Sequence, residues 1–340
     1  QGALKQFPLQ ALLAWANPTI QAQLPAQHLR LNADWNLKLE QALNGTFQLQ
    51  KASGDWFVYD ATNTQWHALQ LQKVTAGLQA INNRITLATT IETAQAGTLT
   101  VQAGSEISLT PNGFVLKKSA PLTARLEGHL SKIDWLGKLL PDIQPAGAIT
   151  LDVRANGTLA HPQLQGTITG SDLALSIPSQ GLWLQQGTLN IGLQGEQARL
   201  NQMQFSGKTG QLTGTGLLAF NQTDWQLDLG LKMDQLQALS RVDRWVQLSG
   251  STQLHMTPEQ IRIQGKLKIH KGLFELPKAD KPQLSEDVVI ASSEIAPAKP
   301  ASRWSLQDFA LDFGDKPSLP FKESEQFMLR GQGLNGALSG

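Results

Sequence analysis

The stretch Ile149-Thr150-Leu151-Asp152-Val153-Arg154 decides the fold. Apolar and polar residues alternate strictly, and successive side chains of a strand point to opposite faces of a sheet. The reading extends outward. Leu189, Ile191 and Leu193 alternate with Asn190, Gly192 and Gln194, and Leu227, Leu229 and Leu231 alternate with Asp228, Gly230 and Lys232. Leu267 and Ile269 alternate with Lys266, Lys268 and His270, with Ile261 and Ile263 just before them. Leu37 and Leu39, Phe47 and Leu49, Leu99 and Val101, and Leu122 and Leu126 repeat the theme in the first third. Each segment then has one apolar and one polar face. That predicts antiparallel or edge-rich sheet, not the doubly buried parallel sheet of α/β enzymes. The expected fold class is all-β.

Asn-Gly pairs at Asn44-Gly45, Asn112-Gly113, Asn156-Gly157 and Asn335-Gly336 suit turns whose central residues need positive φ. Asn44-Gly45 lies between two alternating runs and reads as the turn of a hairpin. Three stretches break the alternation. Phe7–Ala16 has Pro8 near a helix start and Leu9, Leu12, Leu13 and Ala16 on one face. Ser131–Leu140 opens with Ser131 and Asp134 in capping-box spacing and is stopped by Pro141. Asp234–Val246 has Asp234 as an N-cap and Leu236, Leu239, Val242 and Val246 on one side. These few short helices, each followed by strands, predict a degenerate repeat with segments 1–130, 131–232 and 233–340. The third segment contains a Pro-, Ala- and Ser-rich linker at 278–302.

The chain has 340 residues, more than one compact core usually holds, so several domains or one elongated repeat architecture fit. Its hydrophobic share is 41% and its charged share 16%, which argues against disorder. With 28 basic and 27 acidic residues the net charge is +1, so no nucleic-acid partner is expected and no long-range steering to anionic membrane. There is no cysteine, which removes thiol nucleophiles, thiolate metal sites and disulfides and fits a bacterial secreted compartment. No apolar run approaches a membrane span. Gln1 and Gly340 as ends lead to the expectation of a piece of a longer protein.

Catalytic and metal motifs fail one by one. His28, His67, His129, His161, His255 and His270 show no metal-ligand spacing, so no metal or cofactor is expected. Gly331 to Gly336 matches G-x-G-x-x-G, but a dinucleotide site needs a strand before it and a helix after it, and only four residues follow. Asp312, Asp315, Glu323 and Glu325 read as a solvated surface. Lys266, Lys268 and Lys271 read as the wet face of a strand, with a rim meeting lipid phosphates as the functional alternative. The expectation is a non-enzyme.

From Pro145 to Gly340 the order of glycine and leucine positions resembles a known family. Gly157-Thr158 is followed by Pro162 and Leu164-x-Gly166, then Leu182-x-Leu184 and Gly187-x-Leu189. Gly265-Lys-Leu-Lys-Ile269 leads to Leu276-Pro277, Leu311-Asp-Phe-Gly-Asp315 and Gly331-Gln-Gly-Leu334. This order is similar to the C-terminal region of the TamB family, translocation and assembly modules of the AsmA-like group in Gram-negative envelopes. The resemblance implies an elongated, curled amphipathic sheet, a half-pipe of β-taco type with apolar residues inside. It implies a periplasmic location, an inner-membrane anchor through an N-terminal helix that this piece lacks, and an outer-membrane barrel partner, TamA, met through a more C-terminal segment. It also implies a role in lipid traffic between membranes or in assembly of outer-membrane proteins.

A sheet with one apolar face must cover it. Acyl chains are one cover, since each buried methylene contributes about 0.8 kcal/mol without any specific polar site. Roughly twenty-odd strands shared between two walls would give a trough on the order of 50 Å long. The expected lining is Leu37, Leu39, Phe47, Leu49, Leu122, Leu126, Ile149, Leu151, Val153, Leu189, Ile191, Leu193, Leu227, Leu229, Leu231, Ile261, Ile263, Leu267 and Ile269. The expected ligand is phospholipid, carried between the inner and outer membranes. The alternatives are a chaperone whose exposed strand edges template client barrel strands, and a closed structural sandwich.

Overall fold

The computed structural model describes residues 1–11, 28–60, 64–110, 113–140, 142–221, 224–241, 244–274 and 303–312. The strands in chain order are β1 (Gly2–Pro8), β2 (Arg30–Leu39), β3 (Leu43–Ser53), β4 (Phe57–Asp60), β5 (Gln65–Ala68), β6 (Leu71–Ile81) and β7 (Arg84–Thr93). Then come β8 (Thr98–Glu106), β9 (Ser108–Thr110), β10 (Gly113–Val115), β11 (Pro121–Leu130), β12 (Gln144–Thr158), β13 (Pro162–Ile177) and β14 (Leu182–Gly195). The last are β15 (Gln197–Gly207), β16 (Gln211–Phe220), β17 (Trp225–Ser240), β18 (Arg244–Met256), β19 (Gln260–Phe274) and β20 (Arg303–Asp312).

The protein is all-β. A single sheet of 16 strands follows chain order from β1 to β20, while β4–β5 and β9–β10 stand outside it as small hairpins. Neighbours pair antiparallel throughout, except β20, which joins β19 in parallel. Among the described residues β1 and β20 are separate edges, so the described sheet does not close on itself. The strands form one continuous order. At about 4.8 Å per strand, the 16 in one order extend about 70 Å along the sheet.

Antiparallel order sends the connections alternately to two rims. The first rim carries the turns after β2, β6, β12, β14 and β18, together with the β9–β10 hairpin. The second carries β4–β5, a 3-10 turn at Asp134–Lys138, and the turns after β13, β15 and β17. Large buried side chains gather at the second rim, as Leu29, Leu31 and Leu71 in one cluster and Ile133, Leu173, Leu184, Phe205 and Leu236 in another.

The reason is a line of β-bulges. Register shifts fall at Ala146/Ala148, Gly170/Leu173, Gln185/Thr188, Leu200/Met203 and Met233/Leu236. Gly147, Asp172, Gln186 and Gln235 take positive φ there. An extra residue bends its strand and raises local twist. The strand ends beyond the bulges turn over, and elements three strands apart then meet. The Arg241 guanidinium donates to the Ser179 carbonyl at 2.7 Å, and a β-carbon on Gly181 would stand 2.4 Å from the Ser240 carbonyl oxygen.

Two of the expected helices are corrected. Asp234–Val246 is strand on both sides of the β17–β18 turn, with Asp234 paired to Gln211, Leu236 to Leu248 and Leu239 to Val246. Shifts at Met233/Leu236 and Gln237/Leu239 break the period of two and mimic helical spacing; Val242 lies outside the described residues. Ser131–Leu140 shrinks to the 3-10 turn, because the Ser131 hydroxyl donates to the Gln95 carbonyl at 2.8 Å instead of capping. Phe7 and Pro8 end β1, positions 9–11 are helical, and 12–16 lie outside the described residues. The hairpin around Asn44-Gly45 exists, but its turn is at 40–42. Asn44 pairs with Lys38 and Gly45 with Leu37, within the ladder. The sheet runs on through position 130/131, and position 232/233 falls inside β17. The linker at 278–302 and the Gly331–Gly336 segment lie outside the described residues.

Candidate functional site on the apolar face of the sheet

Cross-strand partners share a face, so the pairing defines rows that run across the strands. One row crosses the first 15 strands of the sheet: Leu4, Ala33, Leu49, Ala76, Thr89, Val101, Leu126, Val153, Gly166, Leu193, Ala198, Leu218, Leu227, Met256 and Ile261. Thr89 is its only polar residue. The next row runs from Val74 on β6 through Ile91, Leu99, Gly128, Leu151, Ile168, Ile191, Leu200, Gly216, Leu229, Leu254 and Ile263 to Leu306 on β20. Every sequence-predicted lining residue falls on this one face. Leu37 and Leu39 lie at the first rim and are exposed, while Ile269 lies toward the second, opposite Leu248. The others are half-buried, screened by their neighbours and open to solvent.

Side chains crowd this face at some glycines. A β-carbon on Gly128 would stand 2.8 Å from Leu99 Cδ1, and one on Gly214 2.6 Å from Met203 Cε. On the opposite face, β-carbons on Gly77 and Gly230 would meet nothing closer than 4.0 and 3.8 Å. On that same face a β-carbon on Gly104 would stand 2.7 Å from Thr123 Oγ1, so each face has both crowded and open positions. Sequence reasoning missed Ile168, Leu200, Leu218 and Leu254. The same alternation marks Leu254, whereas the Leu200/Met203 bulge hides the phase around Leu200.

The opposite face is polar. His255 Nδ1 lies 2.6 Å from Asp228 Oδ1, and Gln226 Nε2 donates to the other carboxylate oxygen at 2.8 Å. These bonds, the histidine's first, hold the Asp228 carboxyl below its ordinary value. Clefts of about 670 and 660 Å³ flank this face, one lined by Arg199, Asp228, His255 and Arg262 and the other by Gln48, Gln102, Arg125 and Arg154. Lys266 and Lys268 are exposed opposite Ser251 and Ser249. Among the described residues no three acidic or histidine side chains gather as a metal set. Asp312 ends β20, while Asp315, Glu323 and Glu325 lie outside the described residues. No helix of the described residues is long and apolar enough to cross a membrane.

These features define an all-β protein built on one long sheet with an apolar and a polar face. Residues 199–340 match the family model described as TamB C-terminal domain, so this part of the chain is similar to a TamB C-terminal region. The match begins within β15 and leaves out 145–198, where the resemblance in glycine order starts. TamB proteins are translocation and assembly modules of the Gram-negative envelope. No curated protein and no solved structure matches the chain.

Proposed function

We propose that this chain is a periplasmic segment of a bridge-like envelope protein that carries phospholipid between the inner and outer membranes along its apolar face. The observation that carries the reading is the row from Leu4 to Ile261, apolar across every one of those strands but one. Such a stripe holds an acyl chain by surface burial at about 0.8 kcal/mol per methylene and needs no polar anchor. A guest can therefore slide, and no catalytic group takes part. Anchoring through an N-terminal helix, contact with TamA through a more C-terminal segment, and the division into lengths 1–130, 131–232 and 233–340 belong to the same proposal. The anchor and the TamA contact extend the TamB likeness of residues 199–340, and the division extends the repeat read in the sequence.

The test is mass spectrometry of lipids extracted from the chain purified without detergent. Stoichiometric phospholipid that is lost in Leu229→Asp is the expected result. Phospholipid retained by a folded Leu229→Asp variant overturns the assignment of the face.

A second reading has its own observation. Among the described residues β1 and β20 each pair on one side only. An open edge can take a client strand by β-augmentation, giving a chaperone for outer-membrane barrel proteins. That reading predicts binding of barrel-strand peptides that survives Leu229→Asp.

A further inference from the structure

Six neighbouring strands, β8 and β11 to β15, carry Gln102, Arg125, Arg154, Gln165, Gln194 and Gln197 as direct cross-strand partners on the polar face. No apolar side chain and no acid interrupts this row, which at about 4.8 Å per step is about 24 Å long. Each amide offers a donor and an acceptor. Gln102, Arg125 and Arg154 line the 660 Å³ cleft at one end. At the other end Arg199, two residues beyond Gln197 and on the same face, lines the 670 Å³ cleft. Gly77 and Gly230 lie in the floors of the two clefts, where added β-carbons would meet nothing closer than 4.0 and 3.8 Å. The walls are amides, hydroxyls and guanidinium groups. Arg125 is held by Glu127 at 2.5 Å, but Arg154, Arg199 and Arg262 have no acidic partner among the described residues. Arg262 Nε is buried without a hydrogen-bond partner. Asp228 is the only acid lining the cleft of Arg199 and Arg262, and its carboxylate is already taken by His255 and Gln226. Exposed Lys232 and Lys266 stand one row further on, joined through Ser251.

We infer that the polar face binds an acidic glycan, a chain of sugars that bears carboxylate groups. Sugar hydroxyls donate and accept at once, as do the amides of the row and the threonine hydroxyls of the clefts. The carboxylates meet Arg199 and Arg262, whose planar guanidinium groups hold such groups bidentately. These two arginines lie four strands apart, on β15 and β19, which is about 19 Å. They therefore take two separate groups of one chain and not a single small anion. No Trp, Tyr or Phe ring enters either cleft from this face, since Phe47 belongs to the apolar side with Leu49. Nucleic-acid bases thus have no stacking platform. An acidic peptide would satisfy the arginines but brings no hydroxyls to the amide row. The near-neutral whole chain does not oppose this, because the cations act within about a Debye length of the cleft. This inference stands apart from the lipid-carrying reading, because it concerns the opposite face of the sheet.

The test is equilibrium dialysis of the full 340-residue chain against labelled oligogalacturonate, with dextran and polyglutamate of similar length as comparisons. Oligogalacturonate should bind, more weakly as salt rises. Dextran lacks the acid and polyglutamate lacks the sugar hydroxyls, so each should bind about tenfold less tightly or worse. Arg199→Gln with Arg262→Gln removes two charge-assisted contacts and should lower oligogalacturonate affinity by about tenfold or more. Gly230→Gln fills the cleft floor without changing charge and should weaken binding as well. Its circular dichroism spectrum should match wild type, because the space over Gly230 is open. Neither change should alter the lipid retained by the purified chain, which separates failure of this inference from failure of the carrier reading. A wild-type chain that takes up no oligogalacturonate overturns the inference, as do variants that bind it like wild type. Dextran or polyglutamate bound as tightly as oligogalacturonate also overturns it, the first by removing the acid from recognition and the second by removing the sugar.

Discussion

A β-carbon placed on Gly187 would stand 2.2 Å from Cε1 of Phe205, so the Phe205 ring lies directly over the Gly187 backbone. The two belong to neighbouring strands, β14 and β15, just beyond the bulges that bend them. The bend is sealed because the chain supplies no side chain where the ring must go. Gly187→Ala should displace the ring and destabilise the protein by about 1–3 kcal/mol. Phe205→Ala should cost more, about 3–5 kcal/mol. Urea denaturation of both variants measures this, and equal midpoints for Gly187→Ala and wild type would remove the ring from its role in the bend.

Leu236 and Leu229 lie on the same strand and the same face but in different surroundings. Leu236 is 3% exposed within the cluster at the second rim, while Leu229 is half-exposed in the open stretch. Leu236→Ala should therefore cost about 2–5 kcal/mol and Leu229→Ala less than about 1.5. The denaturation midpoints of the two variants check it, and a costlier Leu229→Ala would mean that the open face is covered by protein.

The β4–β5 hairpin is tied to the 3-10 turn by charge. Asp60 is buried, with Lys138 Nζ at 3.3 Å and His67 Nε2 at 3.5 Å. Lys138→Met removes the permanent cation from beside a buried carboxylate, a loss that leaves the acid short of a counter-charge. Amide exchange should quicken in β4, β5 and the 3-10 turn and stay unchanged in β16 to β18. Unchanged exchange in β4 would show that the tie does not hold the hairpin.

Asp228 gives a pH prediction of defined sign. Its carboxyl is held below the ordinary value, 3.8, chiefly by the hydrogen bond with His255. A depressed carboxylate contributes stability that is present above that value and lost as pH falls through the lower folded value. The side chain is half-exposed, so the contribution should be only a few tenths of a kcal/mol. Carboxyl-detected NMR titration of His255→Ala should show Asp228 moving upward but not fully to 3.8, since Gln226 still donates. An unmoved titration would transfer the effect to Gln226.

Alternation made the all-β class and the apolar face legible, because a period of two survives wherever the ladder is regular. Leu227-Asp228-Leu229-Gly230-Leu231 reads the same in sequence and in space. What defeated the reading was the bulges. Around Asp234 to Leu239 two register shifts insert extra residues, and the spacing of the leucines drifts toward that of a helix. Asn44-Gly45 misled for a related reason. Gly45 does take positive φ, but inside β3, where a β-carbon would stand 1.9 Å from the Asn36 carbonyl oxygen. The need for glycine there comes from a neighbouring strand and not from a turn. The rim clusters were invisible because Ile133, Leu184 and Leu236 meet only after the bulges have folded the strand ends over.

The row from Leu4 to Ile261 has one further consequence. Its chemistry hardly changes from strand to strand, with Thr89 its only polar step. If the row carries lipid as proposed, its lack of a second polar step offers no chemical gradient along it. A track of that kind can hold cargo but cannot aim it. Any net flow has to be imposed at the two ends, by whatever loads a molecule at one and withdraws it at the other.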